Sequence, residues 1–385
     1  MGPLSGIRII EIVGLAAVPY CGMLLADMGA DVVRIDRKGP KAVNQQSPKD
    51  PLLRGKRTVE FDLKSAADRY ALLKLISQAD GLIEGFRPGV MERLGVGPEV
   101  CLARNPRLAY GRLTGWGQDG PYAHMAGHDI NYIALTGALH TVGVRGSVPI
   151  PPLNLVGDFG GGGLFLAFGM ACAIIEAQRS GKGQVVDASI VDGAASFMAM
   201  SHGYMACGRF NPAPGEDILG GNAPFYGCYE TADGKFVSIG SVEPQFYAEL
   251  LDKLGLSVEQ FGSAGYNGLF GRPDKRLWAE LRSALGTAFR SKTRDQWCRI
   301  LEGTDACFAP VLSLDEVAAH PQNEARGSYV EIDEVLQPAP APRFDRTVPA
   351  TPATIAAPIV EADAILRVWE SEAVGRAVKP AERMA

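Results

Sequence analysis

Short β-branched runs alternate with segments of helical period through the first hundred residues, and this rhythm restricts the fold more than any other feature. Residues 6–13 form the first run, and residues 15–28 carry apolar side chains at helical spacing up to Gly29. A second strand is expected at 31–35 (DVVRI), with Arg34, Asp36 and Arg37 clustered at its C-terminal end. Ser65 opens an amphipathic helix carrying Leu72, Leu73, Leu75 and Ile76, and further strands are expected at 81–84 and 107–113. A helix between two strands returns the chain to the same end of a sheet, so such units pair in parallel. The expected class is therefore α/β, a parallel sheet covered by helices. Ligands on such sheets bind beyond the carboxyl ends of the strands. The first βα turn, Val13-Gly14-Leu15-Ala16-Ala17-Val18, lacks the GxGxxG fingerprint, which disfavours a nicotinamide oxidoreductase.

The middle of the chain reads differently. Residues 160–163 (GGGG) lead into helical period over 164–179 with Gly181 as the C-cap, and a strand at 184–191 and a helix at 194–206 follow. Residues 225–231 and 235–240 flank Ala232-Asp233-Gly234, a hairpin signal, and helices are expected at 244–254, 275–289 and 294–301. This stretch predicts a second, smaller α+β domain. Residues 337–358 are rich in Pro and Ala and read as extended; helical apolar material at 359–369 makes them a return strap. The expected organisation is 1–195 for the first part of a large domain, 196–222 for a linker helix, 223–325 for the small domain, and 326–385 for the strap and the rest of the large domain.

The 385 residues carry 38 Lys+Arg against 43 Asp+Glu, a formal charge of −5 that argues against a nucleic-acid partner. Seven scattered cysteines without a CxxC or metal spacing suggest reduced thiols in a cytoplasmic protein with no metal site. The N-terminus lacks signal-peptide character. The longest apolar stretch, 164–175, is interrupted by Gly169 and reads as too short to cross a bilayer, so no membrane partner is expected.

Three segments place titratable groups beside glycine: Gly127-His128-Asp129-Ile130-Asn131-Tyr132, Asn154 to Gly163 (NLVGDFGGGG), and Gly240 to Phe246 (GSVEPQF). Asp158 reads either as a helix N-cap or as a carboxyl group in a backbone-rich concavity, where glycines let a substrate approach and free N–H groups favour negative charge. His128 reads as a hydrogen-bonded structural residue or as a base suited to neutral pH. Asp129 and His124 read as local hydrogen-bond partners. Glu243 before Pro244 reads as a helix start or as a carboxylate that orients an imidazole. Phe159, Met198, Met200 and Tyr226 read as core or as pocket lining. Arg37, Arg54, Lys56, Arg57, Lys64, Arg87 and Arg93 are either solvated charges or an anion site at one end of the sheet. No P-loop occurs.

The chain resembles the class III coenzyme A transferase family, and within it the branch that racemises 2-methylacyl-CoA thioesters. The resemblance rests on ADMGADVVRIDR (26–37), RGKRTVEFDLK (54–64), IEGFRPGVMERLG (83–95), LTGWGQDGP (113–121), GHDINY (127–132), NLVGDFGGGG (154–163), GKGQVVDASIVDG (181–193) and EPQFY (243–247). It implies a Rossmann-like large domain, a small domain and an interlocked homodimer. It also implies a catalytic His128 and Asp158, with Glu243 supporting the histidine. CoA contacts carry over to Arg37, Phe61, Asp62, Leu63, Lys64, Gly85, Phe86, Arg87, Arg93, Gly127, Asp129, Ile130, Asn131 and Tyr132, with Asn154 in the Asp158 motif. Ala17-Val18-Pro19 departs from the family's Pro-Gly-Pro turn.

The expected reaction is proton removal and return at the α-carbon of an acyl-CoA, with the CoA as part of the substrate and no separate cofactor. Backbone N–H groups near Asp158 or Asp129 are candidates to hold the enolate oxygen. Rival readings are a CoA transferase with Asp158 as covalent nucleophile and a non-catalytic acyl-CoA binder.

Overall fold

The computed structural model describes residues 2–39, 47–144, 146–209, 213, 215, 217–265 and 273–377. The chain divides into two compact units, one of residues 1–138, 152–199 and 327–385, the other of residues 139–151 and 200–326. Residues 210–212, 214 and 216 of the expected linker, and 378–385 of the expected C-terminal part, lie outside the described residues.

The larger unit is built on β1 (Arg8–Ile12), β2 (Asp31–Arg37), β3 (Lys56–Phe61), β4 (Gly81–Glu84), β5 (Ala109–Thr114) and β6 (Gln184–Ser189). They form one sheet in the order β3-β2-β1-β4-β5-β6, every pair parallel. The chain starts at the centre, works outward to β3, then restarts at β4 on the other side of β1. The loops after β1 and β4 therefore diverge, and a crevice opens between them. The expected α/β class, with a smaller antiparallel domain, is the fold found.

Period-two alternation sends Ile10, Ile12, Val33 and Val59 to one face, against helices Ala66–Ile76 and Ala362–Ala377. Ile9, Val32, Ile83 and Ala109 go to the other, against helices Ala17–Asp27 and Phe165–Ser180. Trp369 is fully buried in the first layer. Its Nε1 donates to Asp31 Oδ2 at 2.7 Å, and Arg8 donates to its carbonyl at 2.6 Å.

Charged pairs lie inside this unit. Lys56 Nζ donates to Glu11 Oε2 at 2.6 Å and to the Pro19 carbonyl at 2.9 Å, and neither side chain is exposed. A Cβ at Gly22 would lie 1.8 Å from Glu11 Oε2, so helix Ala17–Asp27 can cross this pair only with glycine there. Arg54 grips Asp27 at 2.6 Å and the Gln337 side chain at 2.8 Å, and Arg57 pairs with Asp31. These three cations sit at the amino end of β3, opposite the crevice. The reading of Arg54, Lys56 and Arg57 as part of an anion site is thereby corrected: their charge is spent on internal carboxylates.

Helical backbone runs unbroken from Leu155 to Ser180, 26 residues of mean hydropathy 1.6 in the most apolar window, long and apolar enough by length and composition to cross a membrane. This corrects the expectation drawn from 164–175 alone. Its buried positions, among them Leu166, Met170 and Ile174, pack on the sheet as core. The first part, Leu155–Leu164, is π-helical, so Asp158 lies inside the first turns and is not an N-cap. The glycine run also has a different role from the one expected. A Cβ at Gly161 would meet Ala194 N at 2.6 Å, and one at Gly193 would meet Gly161 O at 1.9 Å. These glycines let helix Ile190–Ser196 cross backbone to backbone, rather than admit a ligand. The single helix expected at 194–206 is two, Ile190–Ser196 and Ala199–Ala206.

The smaller unit has an antiparallel sheet of β7 (Tyr226–Glu230), β8 (Phe236–Gly240) and β9 (Phe308–Val311). The expected hairpin is present, with Glu230 opposite Phe236. Phe225, Leu250, Leu281, Phe289 and Trp297 form its core. A further hairpin in the larger unit, β10 (Tyr329–Ile332) with β11 (Val335–Pro338), was not foreseen.

Candidate active site

A cleft of about 540 Å³ occupies the switch point of the larger unit. Its walls are the loops after β1 (13–18), β4 (85–88) and β5, together with Arg34, Arg37, Gly127, His128, Tyr132 and Asp158. In the first wall Ala16 holds φ 42° and ψ −81°, a region that side-chain-bearing residues rarely occupy.

Asp158 and His128 reach this cleft from different elements. His128 precedes helix Asp129–Ala134, and its main-chain N–H donates to Asn131 Oδ1 at 3.0 Å. The ring stands in the exposed part of the cleft. Asp158 is half-buried. Burial pushes its pKa above the usual carboxylate range, and the Asp129 charge pushes it further; a hydrogen bond with Asn154 and the nearby His128 act the other way.

Asp129 is buried, and its Oδ2 accepts the Asp158 N–H at 2.6 Å. The Gly157 N–H bonds the same carboxyl group, whose own pKa burial raises. A Cβ at Gly157 would fall 2.1 Å from Asp129 Oδ2, so the side chain fits only against glycine. The reading of Asp129 as a hydrogen-bond partner holds. It also removes the Gly157 and Asp158 amides from the donors expected for an enolate, because both are committed to Asp129.

Tyr132 explains two more glycines. A Cβ at Gly115 would lie 2.0 Å from its ring and one at Gly127 2.7 Å, so the ring slots between two bare backbones. Its hydroxyl donates to the Gly127 carbonyl, and its ring meets Trp116 edge-on at 4.8 Å.

The cleft thus gathers Arg37, Gly85, Phe86, Arg87, Gly127, His128, Tyr132 and Asp158 from the expected set. The others lie outside its lining. Phe61, the last residue of β3, is buried in the core, and its carbonyl accepts the Lys38 N–H at 3.0 Å. Asp62 accepts the Lys64 N–H at 3.0 Å, Leu63 packs against the core, and Lys64 is exposed. Arg93 is exposed at the end of helix Val90–Arg93; Ile130 and Asn131 face outward, and Asn154 turns to Asp158. Glu243 is exposed on the smaller unit, ahead of helix Pro244–Leu254, and makes no cap bond. Of the candidate lining residues, Phe159 stacks on Tyr20 at 4.6 Å and stays out of the cleft lining. Among the described residues no group of His, Cys, Asp and Glu has the makings of a metal site.

Sequence reasoning missed Trp116 and Glu84. The signal for Glu84 was a carboxylate ending the otherwise apolar β4, directly before Gly85-Phe86-Arg87.

The strand order and the position of the cleft place the chain among doubly wound α/β proteins that take small ligands at the switch point. Comparison with known proteins narrows that class: the chain belongs to CoA-transferase family III, whose family model matches residues 4–364. It is 45% identical over 350 residues to the mouse (Mus musculus) alpha-methylacyl-CoA racemase, covering 91% of this chain and 88% of that one. It is 42% identical to the human (Homo sapiens) alpha-methylacyl-CoA racemase over the same shares. A crystal structure of a CAIB/BAIF family protein from Brucella suis matches with TM-score 0.75 and 25% identity, covering 95% of this chain and 99% of that chain. The expected family, and relatives named as racemases within it, are both met.

Proposed function

We propose that the chain is a racemase that interconverts (2R)- and (2S)-2-methylacyl-CoA thioesters by 1,1-proton transfer through an enolate. One observation carries the reading: a half-buried carboxyl group of raised pKa, Asp158, shares a cleft with an imidazole, His128. The α-proton of a thioester is weakly acidic, and racemisation needs a base on one face of the carbon and an acid on the other. A carboxyl group of raised proton affinity is a stronger base than an ordinary aspartate and can return the proton it takes, and each such group typically contributes about 10²–10⁴-fold. By the resemblance, His128 takes the proton of the 2S substrate and Asp158 that of the 2R.

The names of the mouse and human relatives support the substrate class. The exposed Arg37 and Arg87 at the cleft suit the phosphates of CoA. With the Gly157 and Asp158 amides committed, the N–H of Asp129, at the start of helix Asp129–Ala134 beside His128, is our candidate for the enolate oxygen. Phe61 to Lys64, Arg93, Ile130, Asn131 and Asn154 stay in the proposal as contacts of a substrate that extends beyond the cleft or as its supports. Glu243 is proposed to orient His128 within an interlocked homodimer, in a cytoplasmic enzyme that uses no metal or redox cofactor. The rival is CoA transfer through a covalent Asp158; the imidazole of His128 in the same cleft favours proton transfer over it.

The test is incubation of one enantiomer of a 2-methylacyl-CoA in deuterated water, following α-deuterium and optical purity. Exchange with loss of optical purity is expected. No exchange, with CoA transfer to a second acid and hydroxylamine trapping at Asp158, would establish the transferase instead.

A further inference from the structure

Glu84 has no place in the reaction above, yet it is a fully buried carboxylate at the carboxyl end of β4, where the chain enters the cleft. Its Oε2 accepts the N–H of Phe86 at 2.7 Å, and its Oε1 accepts Arg112 Nε at 3.1 Å. Arg112 faces it across the β4–β5 register and holds Glu92 at 2.8 Å through its other arm. Glu92 lies in the short helix just after the loop, so one arginine ties together the residues that open and close residues 85–91. Gly85 leaves no slack, since a Cβ there would lie 2.7 Å from Val18.

We propose that Glu84 is a positioning residue that, through Phe86 and Arg112, sets the loop 85–88 against the cleft and so presents Phe86 and Arg87 to the anionic end of the substrate. The loop-setting role stands on the contacts alone; the substrate consequence rests on the racemase reading. A pH response follows from the surroundings. The charged and titratable groups facing Glu84 are Arg112 and Tyr110 on β5 and Glu92 beyond the loop. Burial outweighs Arg112 and pushes Glu84 up to about 7. Below that pH the carboxyl group is protonated and its bond to Arg112 loses the charge; above it the clamp is at full strength.

The experiment compares the full-length wild type with Glu84→Ala and Glu84→Gln, using hydrogen exchange of the peptide 85–91 and steady-state kinetics on a 2-methylacyl-CoA from pH 6 to 8.5. Losing a charge-assisted bond and a backbone acceptor should raise amide exchange and KM about tenfold each in Glu84→Ala, with a smaller change in kcat. Glu84→Gln keeps an acceptor for Phe86 and should hold exchange near wild type. The rise in KM expected of the wild type as pH falls through neutrality should be absent from it. Unchanged exchange at 85–91 in a folded Glu84→Ala refutes the loop-setting role, and faster exchange with unchanged KM refutes the substrate role. If the wild type shows no turnover, the racemase reading fails while the exchange data still decide the loop.

Discussion

The buried pair of Glu11 and Lys56 offers a quantitative test of how the cleft is supported. Lys56→Met removes the cation and leaves Glu11, 0% exposed, with Arg34 3.9 Å away as its remaining opposite charge. Breaking one side of a buried ion pair costs about 3–5 kcal/mol, because the remaining charge loses its compensation. For a unit of some 150–250 residues each kcal/mol shifts the midpoint by roughly 2–4 °C, so the larger unit should melt about 6–20 °C lower. The sign of the pH dependence is fixed. Burial already raises Glu11, and loss of Lys56 raises it further, so the folded variant binds more protons than its unfolded chain. Its deficit should therefore be smaller near pH 5 than near pH 8. Adding Glu11→Leu removes the orphaned charge and should recover most of the loss. Calorimetry of wild type, both singles and the double completes the cycle. A Lys56→Met within about 1 kcal/mol of wild type, or a double no better than that single, would refute the reasoning. Because Lys56 also holds the Pro19 carbonyl, the single should lose acyl-CoA affinity as well, read by titration calorimetry.

Gly115→Ala places a methyl group 2.0 Å from the Tyr132 ring and should expel it from between Gly115 and Gly127, reducing α-proton exchange at least tenfold while far-ultraviolet dichroism stays native. Trp369→Ala should destabilise the larger unit by about 3–5 kcal/mol in denaturant titration, since it empties a fully buried site and takes one of two donors, the other being Arg57, from the Asp31 carboxylate. If Asp158 is the proposed base for one enantiomer, exchange from that enantiomer needs the carboxylate, so its rate should climb with pH up to a value above the ordinary aspartate range; Asp158→Asn should abolish that limb in a pH–rate profile.

Much of the scaffold was legible because its signals are local. Residues 81–84 form a strand within the expected bounds, Ser65 caps its helix by accepting the Asp68 N–H, and Gly181 closes its helix at φ 74°. The candidate residues of the cleft were legible as glycine-flanked titratable groups. What escaped depends on pairings distant in sequence. That the Asp129 carboxylate occupies the Asp158 amide, 29 residues away, follows only once the two helices meet. That Lys56 is a core cation follows only from Glu11, 45 residues earlier. The π-helical backbone at Leu155–Leu164 hid behind the glycine run, whose side-chain-free positions carry no periodicity to read.

The placement of Trp369 has a consequence for biosynthesis. The Arg8 guanidinium bonds a carbonyl 361 residues further along, and the apolar layer of Ile10, Val33 and Val59 counts Ile365 and Trp369 among its members. At about 5–20 residues per second, roughly 20–70 s separate the emergence of β1 from that of its last covering helix. During that interval the nascent sheet shows water an apolar surface meant for a segment still unmade. Residues 200–326, by contrast, form a nearly continuous unit that is complete before it. The later-encoded unit is thus positioned to finish folding first, while the earlier one waits for its last covering helix.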